Sequence, residues 1–207
     1  MTNIVSAKVS IKGIRILAWH HFGIDALPLE SRERTGVAGK DPSDWQRTVL
    51  MDEERRLFLL PTYFFGCVKG GGKTVKRGKA NLLTAIASTL QIIDAQIYVS
   101  NGSDVLTLPD PPEIIEAGTQ KTEKLPPCFI EIIGVRNPAT KARNIRYRAV
   151  AKPGWQCEFT IMWDKTVVDR NSMQLAVANA GQLVGIGDGR GSVGYGRFTI
   201  EDFSVSN

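Results

Sequence analysis

The sequence predicts an α+β fold in which helices cover one face of an antiparallel sheet. Three observations indicate this class. The chain opens with a strand pattern, a helical repeat follows, and the second half holds further strand patterns interrupted by one helix. The order strand, helix, strands, helix, strand is that of a ferredoxin-like (RRM-like) β-α-β-β-α-β unit. We expect one such domain over residues 1–207, with insertions at about 20–52 and 95–125.

The first half of the chain begins with a half-buried strand. Apolar and polar residues alternate over Val5–Lys12, and the change of phase at Gly13 predicts a β-bulge. Residues 20–52 lack a regular period and are rich in Gly, Pro and charge, which predicts a long loop. A helix is expected within Thr62–Ile92, and we expect Gly70–Gly72 to interrupt it.

The second half is richer in strands. Cys128–Val135 is a nearly continuous apolar run, as in a central strand. Asn144–Val150 and Trp155–Trp163 both alternate and flank the turn Pro153-Gly154, which predicts a hairpin. A helix follows over Asn171–Gln182.

Composition excludes several classes of protein. With 43% apolar and 23% charged residues the chain is globular and not disordered. No apolar run is long enough for a transmembrane helix and the N-terminus lacks a signal-peptide core, so we expect a cytoplasmic protein without a membrane partner. The three cysteines stand far apart, which argues against a disulfide framework. We expect no metal and no cofactor.

Positive charge is concentrated in two stretches. Residues 55–93 hold seven basic residues and no acid, and residues 136–152 hold six and no acid. Such segregation predicts a surface that faces a polyanion, although unrelated solvated faces are the alternative. The candidate phosphate contacts are Lys69, Lys73, Lys76, Arg77, Lys79, Arg143, Arg146 and Arg148.

The most specific feature is the glycine-rich segment Val184–Phe198, which has six glycines within twelve positions, just before the last predicted strand. Glycine permits positive φ and lets backbone N–H groups approach an anion. Arg190 and Arg197 lie in the same segment and can pair with phosphate oxygens. We therefore expect Gly187 and Gly194 to matter for binding; a turn that needs glycine only for packing is the alternative.

These glycines resemble those of the RAMP superfamily of CRISPR RNA-binding proteins. That family has a Gly-x-Gly, spacer, Gly-x-Gly-aromatic run before the last strand of a ferredoxin-like fold, which matches Gly185, Gly187, Gly194, Gly196 and Phe198 here. The resemblance implies RNA binding by repeated copies along a strand, with other effector-complex subunits as partners. Small phage-encoded proteins are similar as well.

Three further candidates concern catalysis and stacking. His20 and His21, adjacent on a strand, would point to opposite faces, so they make a poor metal site, but either can act as a general acid or base. The resemblance also implies a loop aspartate, for which Asp44 is the candidate. Trp45 lies in a polar loop, and we expect it to be exposed and to stack on a base.

The leading hypothesis is a non-enzymatic protein that binds single-stranded RNA or DNA, RNA being favoured, through phosphate contacts and by self-association along the strand. One alternative is a RAMP-type endoribonuclease that uses His20 or His21. Another is a phage structural or regulatory protein whose basic faces bind acidic protein partners.

Overall fold

The larger sheet has the ferredoxin-like strand order. The structure, a computed structural model, describes residues 3–23, 42–136 and 143–206. The strands are β1 (Ile4–Gly13), β2 (Leu17–Ala18), β3 (Phe58–Leu59), β4 (Lys76–Arg77), β5 (Ala80–Asn81), β6 (Gln91–Ile92), β7 (Ile97–Ser100), β8 (Ile114–Glu116), β9 (Cys128–Arg136), β10 (Arg143–Ala151), β11 (Gln156–Asp164) and β12 (Phe198–Ser206). The order in the larger sheet is β12-β1-β11-β7-β3, with β6 also paired to β11, and its pairs are antiparallel.

Helices cover one face of this sheet. They are α2 (Pro61–Gly72), α3 (Leu83–Thr89) and α4 (Arg170–Asn179), and one π-helical turn, Ala180–Val184, continues α4. The short helix α1 (Trp45–Thr48) instead contacts β10. Proline occupies the first turn of α2, where its missing N–H costs nothing, and the side chain of Asp169 caps α4 by accepting from Ser172 N at 3.0 Å. The buried side of β1, with Val5, Ala7, Val9 and Ile11, packs in the core beneath the helices. The α+β ferredoxin-like fold predicted from the sequence is therefore correct.

A second sheet lies beside the first, in the order β2-β10-β9-β8. The pairs of β10 with β2 and β9 are antiparallel, whereas β8 runs parallel to β9. One face contributes Ile130, Ala149 and Ala151 to the main core, and the other contributes Phe129 and Val150 to a second apolar cluster. Both faces of this sheet are thus covered near its centre.

The predicted hairpin of β10 with β11 is wrong. Pro153-Gly154 does reverse the chain, but β10 pairs with β9 and β2, whereas β11 pairs with β1, β6 and β7. Alternation and a turn motif predict two strands and a reversal between them. They do not determine which strand each one pairs with. Here β10 pairs with β9 over nine antiparallel residue pairs instead of with β11.

Two glycine expectations also need correction. The helical region does divide after Gly72 into α2 and α3, as expected, but Gly70–Gly72 form the last turn of α2 and do not lie outside it. A Cβ on Gly71 would collide with the backbone of Ala176 and Ala180, so glycine here lets α2 pack closely on α4. Gly13 ends β1 without a bulge: the shift of register against β12 lies between Ser10 and Ile11, and a Cβ on Gly13 would overlap the indole of Trp155.

None of the helices in the described part of the chain has the length and apolar character needed to cross a membrane.

Candidate nucleic-acid interface

The glycine-rich segment is a loop whose base is hydrogen-bonded to the chain around β2. Gly196 N donates to Ile16 O at 2.6 Å, Asp188 N donates to Ala18 O at 2.8 Å, and Ile186 N donates to Gly196 O at 3.0 Å. The base is buried, whereas the tip, residues 190–193, is exposed. The loop therefore has a fixed foot and a tip open to solvent.

The glycines of this loop differ in what they are needed for. Gly187 has φ +76°, and a Cβ there would lie 2.6 Å from Ala18 O. Gly194 has φ +72° but open space around a Cβ. Gly191 has neither a positive φ nor a neighbour within 4 Å. Close packing thus requires Gly187, backbone conformation requires Gly194, and nothing in the described fold requires Gly191.

We expect Gly187→Ala to lower the free energy of unfolding by at least about 1–2 kcal/mol, because positive φ alone costs that much. For a chain of this size the melting temperature should fall by about 2–8 °C. Gly191→Ala is the matched control and should leave it unchanged. Thermal unfolding followed by circular dichroism measures both, and equal melting temperatures would contradict the role given to Gly187.

A buried charge network lies beneath the loop. Arg148 on β10 is 3% exposed and contacts the carboxylates of Asp188, in the loop, and Glu131 on β9, the latter with Nη2 3.4 Å from Oε2. Tyr195, also in the loop, donates its hydroxyl to Glu131 Oε1 at 2.7 Å and stacks under the Arg148 guanidinium, 5.8 Å from the ring centre. Two residues of the loop are therefore tied to two strands of the second sheet by charge-assisted contacts.

The two carboxylates of this network titrate differently. Burial raises the pKa of Glu131, and the contacts with Tyr195 and Arg148 offset it only in part. Burial also acts to raise the pKa of Asp188, but the hydrogen bond and charge of Arg148 outweigh it and hold the pKa below its usual value. Asp188 is thus the carboxylate that Arg148 keeps ionised most firmly.

His20 lies at the edge of the same network. It follows β2, and its charged neighbours are Asp188, Arg146, Asp44 and Arg148. Burial lowers the pKa of His20, with Asp188 as the largest opposing influence. The Nδ1 atom is buried and has no hydrogen-bond partner among the described residues.

His21 has different surroundings from His20. Its Nδ1 lies 3.1 Å from the hydroxyl of Tyr63, in the first turn of α2. Arg190 and Asp188 are the charges that act on Tyr63, so charges of the glycine-rich loop lie near both histidines. Within the described residues, no group of three or more His, Cys, Asp or Glu side chains is placed to hold a metal ion.

Three of the predicted arginines lie in the loop or near it. Arg190 is exposed at the tip, and its Nη1 donates to Gly187 O at 2.8 Å. Arg197 is half-buried, with Nη1 unpaired among the described residues. Both act on the Cys67 thiol, whose pKa burial raises to about 12, so both lie near the middle of α2. Arg146 is half-buried, 3.9 Å from a carboxylate oxygen of Asp44.

The other predicted cations lie further along α2. Lys69 lies over the Phe65 ring at 5.8 Å, Lys73 follows the last residue of the helix, and Lys76, Arg77 and Lys79 are exposed on the β4–β5 ribbon. Arg77 also donates to Val167 O at 2.9 Å. A helix of twelve residues is about 18 Å long. The cations therefore form two groups, the loop arginines and the cations at the C-terminal end of α2.

Several candidates are placed differently from the expectation. Trp45 is not exposed: it is 5% exposed and packs in the main core, because it lies in α1 and not in a loop. Arg148 is buried in the charge network and does not reach solvent. The backbone of Arg143 begins β10, but its side chain is outside the described residues, as are residues 24–41 of the predicted insertion.

Sequence reasoning missed Glu131, Asp188 and Tyr195. One signal was available for Glu131: it is the one charged residue in the apolar run Cys128–Val135. A carboxylate inside a buried strand requires a buried partner. Arg148, which alternates with apolar residues on the next predicted strand, was the partner that the sequence offered.

The open face of the larger sheet differs from that of an RRM. In RRM domains, aromatic residues on the central strands stack on bases. Here the outward residues are Ser6, Lys8, Ser10 and Lys12 on β1 and Gln156, Glu158, Thr160 and Met162 on β11. The two central strands therefore offer no stacking platform on that face, and the glycine-rich loop is the better candidate interface.

Comparison with known proteins supports the fold. No family model matches the sequence, and no curated protein matches it. Among solved structures, the chain is similar to one from the cryo-EM structure of the type III-B Cmr-beta bound to cognate target RNA, with a TM-score of 0.52 and 13% sequence identity. The match covers 98% of this chain and 60% of that chain, so this chain spans less than two thirds of the other's length. At this identity the likeness concerns the fold.

Proposed function

We propose that this chain binds single-stranded nucleic acid, RNA in preference to DNA, as a RAMP-like backbone subunit of a CRISPR-type or phage ribonucleoprotein assembly. The observation that carries the proposal is the glycine-rich loop with its arginines: an exposed, glycine-rich tip holds Arg190, and Arg197 lies near the middle of α2. Guanidinium groups and glycine backbone amides together suit phosphate oxygens. The similarity in fold to a chain from a type III-B Cmr-beta structure that is bound to cognate target RNA supports the same function.

The two groups of cations suit a strand that runs along α2. Arg190 and Arg197, near the middle of α2, contact phosphates together with Arg146, and Lys73, Lys76 and Lys79 contact them beyond the C-terminal end of the helix. Contacts of this kind position a strand without reading its bases, so little sequence preference follows from them. Further copies of the chain bind along the same strand. Longer oligonucleotides should therefore give larger complexes, which sizing of the complexes measures.

We expect Arg190→Ala to weaken binding of a single-stranded RNA oligonucleotide about tenfold or more, since a charge-assisted hydrogen bond contributes roughly 1.5–3 kcal/mol. The melting temperature should change little because the side chain is exposed. Fluorescence anisotropy measures the affinity. Lys12→Ala, an exposed cation on the open face of the larger sheet, is the control and should bind like the wild type. Equal affinities for wild type and Arg190→Ala would place the interface elsewhere.

Endoribonuclease activity is the second candidate function, and the placement of His20 favours it. A half-buried imidazole with a lowered pKa, close to Arg146 and to Asp188, has the surroundings of a general base beside a cation that can stabilise a phosphorane. The hydroxyl of Tyr63 also lies within hydrogen-bond distance of His21 Nδ1.

Under the binding-only proposal, labelled single-stranded RNA stays intact during incubation with the protein, with and without Mg²⁺. Denaturing gel electrophoresis shows the outcome. Specific cleavage that is lost in His20→Ala or His21→Ala would replace the binding-only proposal with the metal-independent nuclease. Cleavage that needs Mg²⁺ and is lost in Asp44→Ala would assign it to the loop aspartate.

A further inference from the structure

Phe22 is the one exposed aromatic side chain of this protein. The chain has 4 Trp, 4 Tyr and 8 Phe, and all of them lie in the described residues. Phe22 is 61% exposed, whereas every other aromatic side chain is buried or half-buried. A lone exposed apolar side chain is common on protein surfaces, so the surroundings of Phe22 decide what its ring contacts.

Phe22 follows two histidines that lie among the charges near the glycine-rich loop. Arg146 is one of the charges around His20, and His21 Nδ1 lies 3.1 Å from the hydroxyl of Tyr63. Consecutive Cα atoms are about 3.8 Å apart, so the Cα of Phe22 lies within about 8 Å of those of both histidines. The exposed ring therefore belongs to the same surface as the candidate interface.

The backbone after β2 sets the direction of the ring. A Cβ on Gly23 would lie 3.5 Å from Cδ2 of His21, so residues 21 and 23 occupy one side of the chain. Phe22 projects from the other side into solvent. The backbone itself is tied down, because His21 N donates to Thr48 O at 2.8 Å. The ring is thus free to contact a ligand while the chain that carries it is held.

We propose that Phe22 stacks on one base of the single strand whose phosphates contact the nearby arginines. The inference rests on the proposed function. Arg146 acts on His20 and Arg190 acts on Tyr63, so cations with proposed phosphate contacts lie near both histidines that precede the ring. Every base has a flat π-face, so a stacked ring adds affinity without reading the sequence.

The charges around Phe22 favour a nucleotide over an apolar protein surface. A protein that buried this ring would also remove the neighbouring arginines and imidazoles from water, which costs free energy unless each of them is paired. A nucleotide avoids this cost, because its phosphate pairs with a cation while its base covers the ring. One ligand thus satisfies both the charged and the apolar part of this surface.

The first test is the affinity of Phe22→Ala for a single-stranded RNA of about twelve nucleotides and mixed sequence. It should be about fivefold to a hundredfold weaker than that of the wild type, the range of one stacked base. Phe22→Trp keeps a flat ring and should bind at least as tightly as the wild type. Leu175→Ala, which removes a side chain that is 50% exposed on α4, is the matched control and should not change the affinity. Because each of these side chains is exposed, melting temperatures should stay unchanged.

A strand of the same length without bases tests whether the ring contacts a base. The wild type should prefer the normal strand to the abasic one. In Phe22→Ala the ratio of the two affinities should fall by the factor that the substitution costs on the normal strand, since two changes that remove one contact are not additive. An unchanged ratio would overturn the proposal.

Tryptophan at position 22 also gives a direct signal. The four native tryptophans are each at most 5% exposed, so acrylamide quenching of Phe22→Trp reports mainly on the new indole. A saturating normal strand should protect this indole from acrylamide, and the abasic strand should protect it less. Equal quenching in the free protein and with the normal strand would overturn the proposal.

Other outcomes separate this inference from the function on which it rests. If the wild type binds no strand, the proposed function fails and the stacking inference with it. If the wild type and Phe22→Ala bind the normal strand equally, the stacking inference alone is overturned. A loss in Phe22→Ala that occurs only on strands long enough for several copies would assign the ring to a contact between copies and would likewise overturn it.

Discussion

Replacing Arg148 with Met is expected to lower the free energy of unfolding by about 3–5 kcal/mol, because the change leaves two carboxylates, Glu131 and Asp188, without their cation. Methionine keeps much of the side-chain volume, so the loss reports the charge and not a cavity. At roughly 2–4 °C per kcal/mol the melting temperature should fall by about 6–20 °C. Urea or thermal unfolding measures the effect.

The control variant is Arg146→Met, two residues earlier on the same strand. Arg146 is half-buried and lies 3.9 Å from Asp44, so its removal should cost less than about 1 kcal/mol. A triple variant, Arg148→Met with Glu131→Gln and Asp188→Asn, removes the unpaired charges and should recover much of the loss. Equal stabilities of Arg148→Met and Arg146→Met would contradict the network.

The loss in Arg148→Met should also depend on pH. Burial already raises the pKa of Glu131, and the variant removes a charge that opposes this shift. A carboxyl whose folded-state pKa exceeds its unfolded value binds its proton more tightly in the folded state, so stability rises as the pH falls towards the unfolded pKa. The difference in unfolding free energy between Arg148→Met and the wild type should therefore be smaller at about pH 5 than at about pH 7.5.

Affinity for single-stranded RNA should fall steeply with salt. Binding to a single strand loses roughly 0.7 log unit of affinity per log unit of salt for each phosphate neutralised, so six contacts give a slope of about −4.2 and roughly a 300-fold loss between about 50 and 200 mM salt. The cations with solvent-accessible side chains that supply these contacts are Lys73, Lys76, Lys79, Arg146, Arg190 and Arg197. Titrations at four or more salt concentrations give the slope.

Paired substitutions show which cations contribute to that slope. The double variant Lys76→Gln, Lys79→Gln should reduce it by about 1.4, since each lost phosphate contact removes about 0.7. Lys12→Gln, on the open face of the larger sheet, should leave it unchanged. A wild-type affinity that does not respond to salt would exclude phosphate contacts as the basis of binding.

Local patterns in the sequence were enough to predict the fold class. Alternation along β1 depends only on which residues face the core, and the helix before the last strand depends on a local repeat and a cap. The glycines before the last strand could likewise be recognised as a loop, because positive φ at Gly185, Gly187 and Gly194 is a local property of the backbone.

Long-range pairing decided what the sequence could not. The alternation of Arg146 and Arg148 predicted that both face solvent, which holds only for a strand with one open face. Because β10 belongs to a second sheet whose outer face is covered by the loop, Arg148 is buried while Arg146 stays half-buried. Trp45 was misjudged for a similar reason, since its burial depends on the core beneath α1 and not on its polar neighbours.

The sequence by itself thus determined the class of fold, the glycine-rich loop and the charge that suits a polyanion. Only the tertiary structure decided that Arg148 holds the loop in place and that His20 lies close to Asp188 and Arg146. Periodicity and turn chemistry act over a few residues, whereas each of these contacts joins residues at least 17 positions apart whose proximity follows from sheet pairing.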